Sequence, residues 1–513
     1  MNPLIQLKTT SAILVALACV AFSPIARAVD PPPDGGYPGF NTAEGDSALL
    51  NLTTGIANTA IGFEALSQNG MANFNTAVGA DALANNVTGA GNTAIGGNAM
   101  RFRTSGGSNT AVGTEALQNN EAGRDNTGIG AQALAFGSSG NFNTATGSEA
   151  LETNSGSNNT ATGFAALNHN SGSNNTATGF QALLSHQTVA ENTGSDNTAN
   201  GANVLMNNTT GNANTANGVN VLVNNTTGSA NTATGSGAQH ENITGSTNTA
   251  TGTNALFNNN GNHNTANGVG ALRNNRGGAE NTAMGGRALF SNTSGNFNTA
   301  VGFNALFSAT GLKNIAIGHQ AGIKVTTGSN NIDIGAPGGD SDSQTIRIGT
   351  QGLQNSTFIA GIFGNPMAGS LVVVNPSGKL GVTTSSARFK DEIKPMNEAS
   401  DTLMELKPVT FRYKKQIDPD GIPQFGLVAE EVEKLNPDLV VRDKEGKPFS
   451  VRYDAVNAML LNEFLKAHRQ MQEQQATIAK QQKQIEALTT GLQKVSAQLQ
   501  VSKPAAQTVL NNQ

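Results

Sequence analysis

The sequence predicts a mostly β protein: a β-solenoid of about 17-residue repeats, then a small α+β domain and a terminal α-helical coiled coil, assembled as a homotrimer. Three observations predict it. The tripeptide Asn-Thr-Ala, with Gly two residues further on, returns almost every 17 residues from Asn41 to Asn331. Near Ser385 the chain changes abruptly from Gly-rich to charge-dense. From Phe464 onward, apolar residues recur every seven positions.

In chain order, the first 28 residues carry Lys8, an apolar run from Ala12 to Phe22, Pro24 and then Ala26-Arg27-Ala28. This is the pattern of a secretory signal with a small-x-small cleavage site, so export is expected. The run is short for a membrane span, and no later segment approaches the roughly 20 apolar residues a spanning helix needs. The mature chain is therefore expected without a transmembrane segment. Cys19 is the only cysteine and lies inside the signal, which excludes disulfide stapling of the mature chain. Residues 29–40 read as a linker.

Residues 41–338 are the tandem repeat. A unit this short cannot enclose a core alone and must stack on its neighbours. In the copy NTAIGFEAL, starting at Asn58, the strand period of two places Asn58, Ala60 and Gly62 on one side and Thr59 and Ile61 on the other. One larger residue per unit, Leu66, Leu83, Leu117, Leu134 or Leu151, completes a narrow Ala-plus-Leu interior. Connectors such as NNTTG at 224–228 fit the corners, where Gly tolerates positive φ and Asn bonds to nearby backbone. At a strand spacing of about 4.8 Å the array is a shaft on the order of 80 Å long.

The residue between Ala and Gly runs from Ile61, Val78 and Ile95 through Thr146, Asn200 and Asn217 to Met284 and Val301. The sequence leaves open whether this column is solvent-facing drift or a contact between chains. The spacing also slips to 22 residues between Asn175 and Asn197, so the extra residues HQTVAE at 186–191 are expected to protrude as a loop.

Composition excludes several functions. Charged residues are 13% and the net charge is −5, with no basic stripe, so no nucleic-acid partner is expected. The six His are scattered and the mature chain lacks Cys, so no metal site is expected. The Gly-rich repeats contain neither a phosphate loop with its trailing Lys and Ser/Thr nor a calcium-binding nonapeptide, and no cofactor is expected.

The repeats over 41–338 resemble the NxxAxG-type head repeats of trimeric adhesins of the YadA kind, which form left-handed β-rolls from three chains. That resemblance implies a left-handed roll, in a unit longer here than the usual adhesin repeat; the repetitive Asn and Thr surface suits a glycan, another cell-surface ligand or nothing specific. Those adhesins end in a membrane-spanning β-barrel segment; this sequence does not, so retention by that route is not expected.

Residues 339–384 read as a β connector, with short strands at 343–349, 358–362 and 371–374. From 385 to 462 four ordered blocks follow: SSARFKDEI at 385–393, LMELKPVTFRYK at 403–414, QFGLVAEEV at 424–432 and VRYDAVNAML at 451–460. These resemble the intramolecular chaperone domain of phage endosialidases and tail spikes, the S74 peptidase family. The resemblance implies a domain that holds three chains together while a β-fibre folds and then cuts itself off through a Ser-Lys pair.

Carried onto this chain, the nucleophile falls at Ser385 and the general base at Lys390. A Ser hydroxyl attacks only when a neighbour takes its proton, and a Lys does so only when burial or nearby positive charge lowers its pKa. Arg388 is expected to support that field, projecting with Lys390 from a β-like stretch. Lys394 is a second source of positive charge. The resembled family often has Asp after the nucleophile; here Ser386 follows, so either Ser is a candidate attacker. Without the resemblance, a Ser and a Lys five apart are ordinary surface residues.

Residues 463–503 read as a coiled coil. Phe464, Met471, Ile478, Ile485, Leu492 and Leu499 take the a positions, and Ala467, Gln474, Gln481, Leu488 and Val495 the d positions. Ile and Leu at a permit a trimer. Residues 504–513 read as a disordered tail. The expectation is thus an exported, homotrimeric, adhesin-like fibre, secreted or on a bacterial cell surface, with a trimerising tail domain that performs at most one Ser-Lys self-cleavage. A non-cleaving adhesin with a permanent trimer cap and a secreted polysaccharide-acting enzyme are the alternatives.

Overall fold

The computed structural model describes residues 37–502 except 103, 138, 186–190, 355, 361, 363–368, 370, 376 and 444. The signal, Cys19, most of the linker, the expected loop at 186–190 and the 504–513 tail lie outside the described residues. The chain forms two compact units, Met1–Thr357 and Phe358–Gln513.

The first unit is a β-solenoid. Nineteen strands of three residues, β1 (Thr42–Glu44) to β19 (Ile346–Ile348), form one sheet in which each strand pairs in parallel with its neighbour in sequence. The register never slips within the repeat: Thr42 lies on Thr59, Ala43 on Ala60, Thr59 on Thr76 and Ala60 on Ala77. Identical side chains therefore stack, which is why so short a unit specifies its own register. The ladder runs past residue 338 to β19, beyond the point where the repeat fades in sequence.

The interior contains the expected Ala and Leu columns, with Ala60, Ala77, Leu66 and Leu83 fully buried. It also contains two columns of asparagine, so an interior of Ala and Leu alone is incomplete. In the first, the Asn75 backbone N–H donates to Asn58 Oδ1 at 3.0 Å, and Asn58 Nδ2 donates to the Ala72 carbonyl at 2.9 Å. In the second, Asn242 Nδ2 donates to Asn225 Oδ1 at 2.8 Å, while Asn225 Nδ2 donates to the Gly228 carbonyl at 2.9 Å. Each amide thus ties its own coil to the next and satisfies a buried corner carbonyl, as burial of polar groups demands.

The residues after each strand alternate into the left-handed region without being glycine, as at Glu64 (φ 56°) and Leu66 (φ 52°). Such a conformation costs roughly 1–2 kcal/mol per residue. Here it sends the Glu64 N–H back to Asp46 O at 2.9 Å and the Leu66 N–H forward to Ala82 O at 3.0 Å, so each turn is bonded to both neighbouring coils. Gly228, expected at a corner for positive φ, serves another end: a Cβ there would lie 2.4 Å from the Gly245 carbonyl oxygen. The left-handed corner position is taken by Ala230 (φ 56°).

The last coils change character. β17 (Ile315–Ile317), β18 (Ile332–Ile334) and β19 carry Ile at both outward positions. Asp333 replaces the buried Ala of β18, and Gly322 takes the place of the Leu column, so the Asp carboxylate lies beside Gly322, Gly338 and Ala316. Neither carboxylate oxygen has a hydrogen-bond partner. Burial, with Asp342 nearby, pushes its pKa up to about 6.

In the second unit, β20 (Val372–Val374) and β21 (Leu380–Val382) form an antiparallel pair. The described residues of 358–362 form no strand, contrary to expectation. A turn of 3-10 helix spans Asn397–Glu405, followed by the pair β22 (Val409–Phe411) and β23 (Gln424–Gly426), helix α1 (Ala429–Leu435), and the pair β24 (Val440–Arg442) and β25 (Pro448–Val451). Helix α2 (Tyr453–Val501) then runs for 49 residues. Among the described residues, the core of this unit consists of five buried apolar side chains, Val432, Leu439, Val440, Val451 and Met459.

Candidate functional site

Ser385 and Lys390 flank a single 3-10 turn, Ala387–Phe389, capped by Ser386 at its start and Lys390 at its end. The turn replaces the β-like stretch expected there, so the alternation that would aim Arg388 and Lys390 to one side does not hold. Arg388 lies over the Phe389 ring at 4.6 Å, and Lys394 pairs with Glu392 at 3.3 Å. All of these residues are exposed, and within one chain no hydrogen bond joins Ser385 or Ser386 to Lys390. The attacker and its base are close in sequence but not assembled.

A different Ser and Lys do meet. The Ser400 hydroxyl, fully buried, donates to Glu463 Oε1 at 2.5 Å and accepts from Asn462 Nδ2 at 2.6 Å. Lys466 Nζ approaches Ser400 Oγ at 3.3 Å and also donates to Asp401 at 2.5 Å and to Glu463 at 2.6 Å. Hydrogen bonds first to Asp401 and then to Glu463 hold the Lys466 ammonium above its ordinary range, while Lys466 holds the Glu463 carboxyl below its own. A lysine so held cannot accept a proton near neutrality. The cluster is a pin that fastens the 397–405 turn to α2, and its members lie more than sixty residues apart in sequence, beyond the reach of motif reading.

Apolar surface dominates the rest of the unit. A groove of about 580 Å³ opens between the 397–405 turn, β22, β23 and the start of α2. Along α2 every expected a-position residue from Phe464 to Leu499 is exposed. The apolar seam of this 49-residue helix faces water, and no described residue covers it. In the solenoid the undecided column faces outward, with Ile61, Ile95, Ile129 and Ile317 all exposed. From β2 (Thr59–Ile61) to β19 the two outward columns hold only Thr, Ile, Val, Asn and Met, so this face carries no charge.

Residues 385–441 match the family model of the peptidase S74 domain, described as chaperone of endosialidase. That match begins at the candidate nucleophile and ends before the fourth sequence block at 451–460. No curated protein and no solved structure matches the chain. The chaperone segment thus joins a β-solenoid to a long helix, a combination that fits a tail-fibre-like protein. Among the described residues no helix is long and apolar enough to cross a membrane.

Proposed function

We propose that the protein is an exported, homotrimeric fibre whose C-terminal unit aligns three chains while the solenoid forms. One observation carries this reading: the chaperone-matched unit buries five apolar side chains and leaves its groove and helix seam bare, so it is incomplete as a single chain. Domains this small need more buried area than five side chains supply. Three α2 helices joined along their a and d positions supply it, and the clamp then lowers the entropic cost of starting the shaft in register. Extracellular or phage-associated placement follows from the kind of domain matched and from the signal-like first residues. The outward Thr/Ile face is the surface offered to the other chains or to a glycan.

Self-cleavage is part of the proposal. In it the Ser385 hydroxyl attacks an adjacent peptide carbonyl while neutral Lys390 takes its proton and passes it to the departing amine as the C–N bond breaks, and water then hydrolyses the ester; Lys390 acquires the necessary desolvation only in the assembly, since in one chain it is exposed. The same exposure favours the second reading, a permanent cap that never cuts. Intact mass of the recombinant protein decides: wild type should lose a fragment of roughly a quarter of the chain, and both Ser385→Ala and Lys390→Ala should stay full length. A full-length wild type establishes the permanent cap, and normal processing of Lys390→Ala removes Lys390 from the chemistry.

A further inference from the structure

Two unpartnered apolar surfaces lie in the same C-terminal unit. The first is the groove of about 580 Å³, lined by Leu403, Leu406, Val409, Phe425, Tyr453 and Leu460 among others. Its wall is bare hydrocarbon, with Phe425 82% exposed. The second is the stretch 385–394, where Phe389 is 61% and Ile393 66% exposed. The backbone hydrogen bonds of this stretch are local, Phe389 N–H to Ser386 O and Lys390 N–H to Ala387 O. Yet the chaperone match starts at 385, so the stretch belongs to the folding unit whose core it does not touch.

We infer that Phe389 and Ile393 of one chain fill the groove of a second copy. The inference rests on the homotrimer reading and names where the copies interlock outside the helix seam. The size fits, since grooves of roughly 300–1,000 Å³ enclose a ligand larger than one aromatic and one branched side chain. The location fits as well. Leu460 lines the groove and Phe464 opens the seam, four residues apart on α2 and so on one helix face. Bundling the seams therefore sets the neighbour's domain beside this groove, and the groove continues the proposed interface. Phe389, a large aromatic anchor entering an apolar slot, is one of the aromatic residue types enriched in the buried centre of such contacts.

The test uses the full-length chain in a Cys19→Ser background, which has no other cysteine. Asp391→Cys, between Phe389 and Ile393, and Glu405→Cys, beside the groove-lining Met404 and Leu406, are combined and treated with a short bismaleimide; both positions are exposed in the single chain, so neither substitution removes an anchor or a groove wall. The expected result is covalent dimers and trimers whose linked peptides join 391 to 405, at least tenfold more abundant than in either single variant. Native mass is read on the same sample. Linkage confined to single chains, or no linkage in an assembly of three-chain mass, overturns the docking and leaves the trimer standing; a one-chain native mass overturns both. As a second measurement, Phe389→Glu should reduce the assembled fraction at limiting dilution at least tenfold, and an unchanged fraction overturns the docking.

Discussion

In the solenoid Ala60, Leu66 and even Asn58 are sealed within a single chain, whereas in the C-terminal unit Phe389, Phe425 and Phe464 stand open to solvent. The difference is one of where each region finds its partners. Every solenoid coil meets its needs one coil away, through in-register strands, two asparagine ladders and turns bonded in both directions. The C-terminal unit has a small core and large apolar surfaces that none of the described residues covers. The first region closes on itself within one chain; the second, on the homotrimer reading, is completed by other copies.

The largest effect that would break this contrast is removal of everything past Gly381. The truncated chain should lose its three-chain native mass and most of its refolding yield, because in-register nucleation of a long β stack is slow without a clamp. A rod recovered in full yield would show that the C-terminal unit has no part in folding.

Within the solenoid, Gly130 (φ 136°) stacks so closely that a Cβ would lie 2.4 Å from the Gly147 carbonyl oxygen. Gly130→Val should cost on the order of 3 kcal/mol or more and raise hydrogen exchange in the coils around it, leaving distant coils protected. Smaller is Asn214→Ala. It strands the Asn231 N–H that Asn214 Oδ1 now accepts at 3.0 Å and leaves the Gly228 carbonyl with the Asn225 amide alone, for about 2 kcal/mol by denaturant titration.

The smallest effect sharpens the picture of the shaft's end. The Asp333 carboxyl titrates at about 6 when folded against an ordinary 3.8. Between those values the folded Asp333 holds more proton than the unfolded one, so its own contribution to stability is fully present below 3.8 and is lost as pH rises through 6. Asp333→Ala should flatten that profile and raise Tm by a few degrees at pH 7.5. A melting profile with the same slope in the variant would clear Asp333 of the effect.

The shaft was legible because its pattern is periodic and its residues act locally. Ala60 and Leu66 announce a core through position alone, and Thr59 and Ile61 an outer face. The second asparagine column was not legible, since residues such as Asn225 sit in connectors that read equally well as corner turns. Nor were the left-handed turns at Glu64 and Leu66, whose strain is offset only by bonds to neighbouring coils. In the C-terminal unit the long α2 was readable from the seven-residue recurrence that begins at Phe464. The Ser400 cluster depends on partners far away in sequence, and Ser385 and Lys390 were marked by likeness to a family, which says nothing of whether one chain suffices to join them.

Because Asn197, Asn214 and Asn231 hold the same place in successive coils and bond in the same way, excising the stretch from 214 to 230 would let Asn231 take up the bond that Asn214 now makes with Asn197. Copy number is therefore adjustable without redesign. Recombination between neighbouring repeats can lengthen or shorten the molecule in increments of about 4.8 Å, as beads are added to a string, while the two ends keep their own chemistry.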